Sequence, residues 1–130
     1  MNPTLLIIDI QNDYFPGGEM ELVKMDEAAV NAQKLLSYFR KNNLPIVIIQ
    51  HLATKPNASF FIPETSGAEI HHSIRPLDNE TVIVKNFPNS FRNTNLNQHL
   101  QASNSKDLVI CGAMSHMCID TTTRAAADLG

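Results

Sequence analysis

Four short runs of apolar, mostly β-branched residues recur along this chain. They are Thr4-Leu5-Leu6-Ile7-Ile8-Asp9, Pro45-Ile46-Val47-Ile48-Ile49-Gln50, Thr81-Val82-Ile83-Val84-Lys85 and the stretch from Lys106 to Cys111. Such runs suit strands buried on both faces, as the inner strands of a parallel sheet are. Helical patterns lie between them. Asp26 is placed to cap a helix from about Glu27 to Lys41, whose apolar side carries Ala29, Val30, Ala32, Leu35, Leu36 and Phe39. Thr94 caps a shorter helix to about Ala102, and an alanine-rich helical segment runs from Ile119 to Leu129. Strands alternating with helices predict an α/β fold, a three-layer α/β/α arrangement around a doubly wound, mainly parallel sheet. The 130 residues form a single domain, enough to bury a core.

Charge and composition exclude several function classes. A net charge of −3, without basic patches or acidic runs, argues against nucleic acid as a partner. The start, Met1-Asn2-Pro3-Thr4, lacks the charged and long apolar regions of a signal peptide, and no apolar run reaches membrane-spanning length. The two cysteines are expected as free thiols in a cytoplasmic setting, Cys111 inside a strand and Cys118 at a helix start.

The chemistry concentrates where strands end. Asp9 closes the first run, Lys85 closes the third, and Cys118 follows the fourth beyond the break at Gly112. In an open α/β sheet all three positions face the cleft at the carboxyl edge. Cys118 is expected at or near the first turn of its helix, where backbone N–H groups and the helix dipole favour a thiolate and can hold an oxyanion. Lys85 adds a stabilising cation and Asp9 a proton acceptor, although the charge of Asp9 opposes ionisation of the thiol. Each residue also has a structural reading: Asp9 as a turn cap, Lys85 as a solvated lysine, Cys118 as a small core residue. The long segment from His51 to Asn79 has the length of loops that line or cover a site. Gln11 and Phe15 in the first strand–helix loop, His51, Phe91 and His116 are candidate pocket residues. The pair His71-His72 is expected on the surface.

The segments Leu6-Ile7-Ile8-Asp9-Ile10-Gln11-Asn12-Asp13-Tyr14-Phe15, Lys85 with Phe91 and Thr94 behind it, and Cys111-Gly112-Ala113-Met114-Ser115-His116-Met117-Cys118-Ile119-Asp120-Thr121-Thr122 carry a family likeness. The chain resembles the isochorismatase-like cysteine hydrolases, a Rossmann-like group that includes nicotinamidases and N-carbamoylsarcosine amidase. The resemblance runs from Leu5 to the last residue. It implies Asp9, Lys85 and Cys118 as a catalytic triad and a cis peptide between Ala113 and Met114. It also implies an oxyanion hole from the N–H groups of Met114 and Cys118. The implied reaction is hydrolysis of an amide or carbamoyl C–N bond of a small molecule through a thioester, without a cofactor.

Nicotinamidases of the family hold a metal through an Asp-x-His element after the second strand. The corresponding residues here are Gln50-His51-Leu52, so no metal site is expected. Members that cleave isochorismate lack the cysteine, which sets Cys118 against that reaction. Family members carry further strand–helix units after the cysteine helix, so the sequence reads as a domain lacking its C-terminal units. Leu108 to Cys111 would then be an apolar edge strand, and a homo-oligomer is expected. Two other classes compete. A nucleotide-binding module is disfavoured by the absence of Gly-x-Gly-x-x-Gly and of a Walker-type loop. A catalytically inactive or binding-only relative of the fold is disfavoured by the intact Asp9, Lys85 and Cys118 but kept open by the missing C-terminal units, and a metal-dependent nicotinamidase stands as a further alternative within the resemblance.

Overall fold

The structure is a computed structural model that describes residues 2–130. Strands β1 (Thr4–Ile8), β2 (Ile46–His51), β3 (Thr81–Lys85) and β4 (Leu108–Gly112) form one parallel sheet in the order β3-β2-β1-β4. The chain winds outward from β1 to β3, then returns to the other side of β1. That reversal puts a topological switch point between β1 and β4, where open α/β sheets form their clefts.

The alternation of side chains along β1 divides the core in two. Leu5 and Ile7, with Ile48 of β2, pack against Met25, Ala29, Ala32, Leu36 and Phe39 of α1 (Met25–Lys41). Leu6 and Ile8 point the other way, with Val47, Ile49 and Ile83, toward Leu96 and Leu100 of α2 (Leu96–Ala102). The five β1 residues are each at most 1% exposed. Each buried aliphatic side chain of that strand contributes about 1.5–3 kcal/mol, which makes β1 the centre of the fold. Helix α3 (Asp120–Leu129) closes the chain after a π-helical turn, Ser115–Ile119.

Several boundaries differ from expectation. Helix α1 begins at Met25 because Met25 is buried in the core, so Asp26 lies inside the first turn instead of capping it. Lys24 precedes the helix in a left-handed conformation, φ 59°. Helix α2 begins at Leu96 after Asn95, with the Thr94 hydroxyl accepting from the Leu96 amide at 3.3 Å. Strand β4 starts at Leu108, two residues later than expected, and extends to Gly112. The long segment after β2 is packed, not loose: Phe61 and Ile74 are buried in the α1-side core, and Ala68 is buried as well. Asp13 staples that segment, its Oδ2 accepting from the Phe61 amide at 2.7 Å. Strand β4 is an edge strand, and all its residues are half-buried. Among the described residues, no helix is long and apolar enough to cross a membrane.

Candidate active site

Asp9, the residue after β1, sits at the switch point, fully buried, with a left-handed φ of 57°. A non-glycine residue held there costs about 1–3 kcal/mol, a cost the surrounding sheet over-determines. Lys85 ends β3, two strands away from β1. Neighbouring strands lie about 4.8 Å apart, so the side chain must cross about 10 Å past β2 to reach Asp9. Only a long cationic side chain does this. His51 ends β2 directly opposite Lys85 in the parallel register.

The Lys85 ammonium, fully buried, meets three acceptors. Nζ donates to Asp9 Oδ2 at 3.1 Å and to Cys118 Sγ at 3.4 Å, and lies 2.8 Å from His51 Nδ1. An ammonium has three protons, so each one has a partner. Asp9 Oδ1 is buried and accepts no hydrogen bond. A hydrogen-bonded tie holds the loop after β3 to α3, since the Thr122 hydroxyl accepts from the Ser90 amide at 3.0 Å and both residues are fully buried.

Burial dominates the electrostatics. It raises the Asp9 carboxyl above the ordinary value of 3.8, opposed by the charge of Lys85 and its hydrogen bond. Burial and then the Asp9 charge push the Cys118 thiol up to about 12, against the pull of Lys85. Burial alone lifts Cys111 to about 11. Burial and then Lys85 lower His51 to about 4, so its imidazole is neutral near pH 7. Burial therefore favours the thiol form of Cys118, with the Asp9 carboxyl beside it to accept the proton. Cys118 lies in the π-helical turn that runs directly into α3, near the start of that helix as expected. The peptide between Ala113 and Met114, just ahead of that turn, is cis.

The other candidate residues divide. His51 joins the cluster through Lys85. Gln11 does not line a pocket: it is fully buried and its amide is committed. Nε2 donates to the carbonyls of His51 (2.9 Å) and Ala68 (2.8 Å), and Oε1 accepts from the His51 amide at 2.8 Å. Gln11 thus pairs with the His51 backbone as a neighbouring strand would, which extends β2 to His51. Phe15 is buried and stacks on the His71 ring at 3.6 Å. His71 is accordingly half-buried, contrary to the surface pair expected, while His72 is exposed. Phe91 packs on the α2-side core and lines a hollow of about 500 Å³ with Leu100, Leu108 and Ile110, away from Asp9. His116 is exposed on the π-helical turn. A second hollow, of about 600 Å³, lies between Asn12, Gly17, Phe60 and Ser66, and neither hollow takes in Asp9, Lys85 or Cys118.

Asp9, His51 and Cys118 offer an oxygen, a ring nitrogen and a sulfur within 4.8 Å of one another. That set does not fit a resident metal. The Lys85 ammonium is bonded to all three, and a divalent ion would be driven against a buried positive charge.

The isochorismatase domain family matches residues 3–130. The isochorismatase family protein YddQ of Bacillus subtilis is 56% identical over 130 residues, all of this chain and 72% of that protein. A streptothricin hydrolase of Streptomyces noursei is 30% identical over 128 residues, 97% of this chain and 45% of that protein. The crystal structure of an isochorismatase from Pseudomonas putida KT2440 superposes with a TM-score of 0.92 at 40% identity, covering 99% of this chain and 65% of that one. The chain thus spans between 45% and 72% of the length of these three relatives. With the family model matching nearly the whole of this chain and the parallel sheet in place, the chain belongs to the isochorismatase family of hydrolases.

Proposed function

We propose that this chain hydrolyses a C–N bond of a small-molecule amide or carbamoyl compound through a thioester on Cys118, with Asp9 and Lys85 completing the triad. The observation that carries the reading is the buried Lys85 ammonium bonded at once to Asp9 and Cys118, beside a carboxylate oxygen with no partner. Asp9 Oδ1 takes the Sγ proton as the sulfur attacks the carbonyl carbon. Burial makes that carboxylate a stronger base than usual, so it suits the task. The tetrahedral oxyanion rests on the amides of Met114 and Cys118. The neighbouring amides of Met117 and Ile119 are already spent on the Met114 carbonyl, at 3.1 and 3.3 Å. Protonated Asp9 then gives its proton to the leaving nitrogen, the C–N bond breaks, and an acyl thioester remains. Water, deprotonated by Asp9, attacks the thioester and releases the acid. The departing sulfur takes back a proton.

Turnover of a panel of amides, ureides and carbamoyl compounds tests this directly. Cys118→Ala should abolish hydrolysis of any compound the wild type turns over, while Cys111→Ala should retain it. Retained turnover in Cys118→Ala would remove the thioester. With Lys85 in the place a cation would take, turnover should also survive chelation by EDTA. Activity lost to EDTA and restored by zinc would overturn the metal-free reading.

A further inference from the structure

We infer that His51 is a positioning residue: its imidazole, carried on a backbone clamped by Gln11, fixes the Lys85 ammonium between Asp9 and Cys118. The inference rests on the triad reading above. Lys85 reaches its partners on a flexible stem with several rotatable bonds, and such a stem needs an anchor to hold one geometry. Of its three contacts, the one to His51 Nδ1 is the shortest, 2.8 Å against 3.1 Å to Asp9 and 3.4 Å to Cys118. For Nδ1 to accept from an ammonium it must carry a lone pair, so the proton of the neutral ring sits on Nε2. Burial and the charge of Lys85 both keep the ring neutral. Gln11 holds the His51 backbone on both its N–H and its carbonyl, which fixes where the ring starts, and the ring itself lies against Phe61 with centroids 5.8 Å apart.

Removing the acceptor leaves one buried N–H of Lys85 without a partner and frees the ammonium to turn away from the sulfur. The remaining groups around it are the Asp9 carboxyl, the Cys118 thiol and the nearby Tyr14 phenol, which burial keeps neutral. None of them replaces the third contact.

Two substitutions separate positioning from space-filling. His51→Phe keeps a ring without an acceptor, and His51→Asn places an amide oxygen near the position of Nδ1. We expect His51→Phe to lower kcat about tenfold to a hundredfold with KM little changed, as expected for a misplaced catalytic group. His51→Asn should recover most of the loss. Timed iodoacetamide alkylation, mapped by peptide mass, gives a readout independent of turnover. The pH at which Cys118 reacts at half its maximal rate should rise in His51→Phe and stay near the wild-type value in His51→Asn. A change in KM alone, an unmoved alkylation profile, or His51→Asn as impaired as His51→Phe at equal Tm would overturn the inference. If His51→Phe does not fold, His51→Leu takes its place. Turnover retained in Cys118→Ala would remove the thioester reading, and the alkylation comparison would still decide the tie between His51 and Lys85.

Discussion

Asp9→Asn should lower kcat/KM by about 10²–10⁴-fold, the usual contribution of a positioned acid–base group, while making the Cys118 thiol easier to ionise. The two effects run in opposite directions for one reason. In the wild type burial and then the Asp9 charge push the thiol up, and only Lys85 pulls it down. Asparagine keeps the shape of the carboxyl but can neither repel the thiolate nor take its proton. The thiolate then pairs with Lys85, so the alkylation profile of Cys118 should move to lower pH as turnover collapses. A profile that stays put or moves up would contradict the arrangement. The wild-type activity profile carries the same signature. Because the Asp9 carboxyl is raised above 3.8, the acid limb of kcat/KM should lie above the ordinary carboxylate range. The sign for stability follows. Native Asp9 keeps a proton that the unfolded chain has lost above pH 3.8, so this residue's contribution to stability falls as pH rises from there through its native value. Asp9→Asn should remove that slope.

Gly112→Ala should destabilise the fold by about 3–5 kcal/mol, at the upper end of single substitutions. Gly112 has φ +133°, and an added Cβ would overlap the Ile8 carbonyl oxygen. Neither partner can yield. Ile8 belongs to the fully buried β1, pairs with Gly112 in the parallel register, and accepts from the Ala113 amide at 3.1 Å. For a chain of this size, Tm should fall by about 10–20 °C in a thermal melt. Gly17→Ala is the control: its φ is also positive, at +86°, but a Cβ there meets nothing within 4 Å. It should cost only about 1 kcal/mol. Equal Tm values for the two variants would show that the switch point does not depend on a bare backbone at Gly112.

The strands and the site were legible to different depths. Buried parallel strands announce themselves, because both faces of β1 and β2 must be apolar. Asp9, Lys85 and Cys118 could be placed at one sheet edge from strand order alone. What the sequence could not carry was distance across the sheet. His51 and Lys85 both stand at strand ends, yet only the parallel register puts them face to face. Gln11 looks like a pocket residue in a polar loop, whereas in the fold its amide replaces a missing strand neighbour. Phe15 and His71 lie far apart in sequence, so their stacking had no local signal. For the ionisation of Cys118, a helix-start argument counts the dipole, the cation and the opposing charge of Asp9 but not burial. Here burial is the largest influence.

The central claim is a covalent bond between substrate and Cys118, and acid quenching during turnover tests it most directly. A substrate from the amide and carbamoyl panel would be mixed with the protein, quenched within the first turnovers, and the peptides mapped by mass. The account predicts an acyl adduct on the peptide carrying Cys118, none on that carrying Cys111, and none after Cys118→Ala. Turnover that proceeds with no adduct on Cys118, and persists in Cys118→Ala, would contradict it.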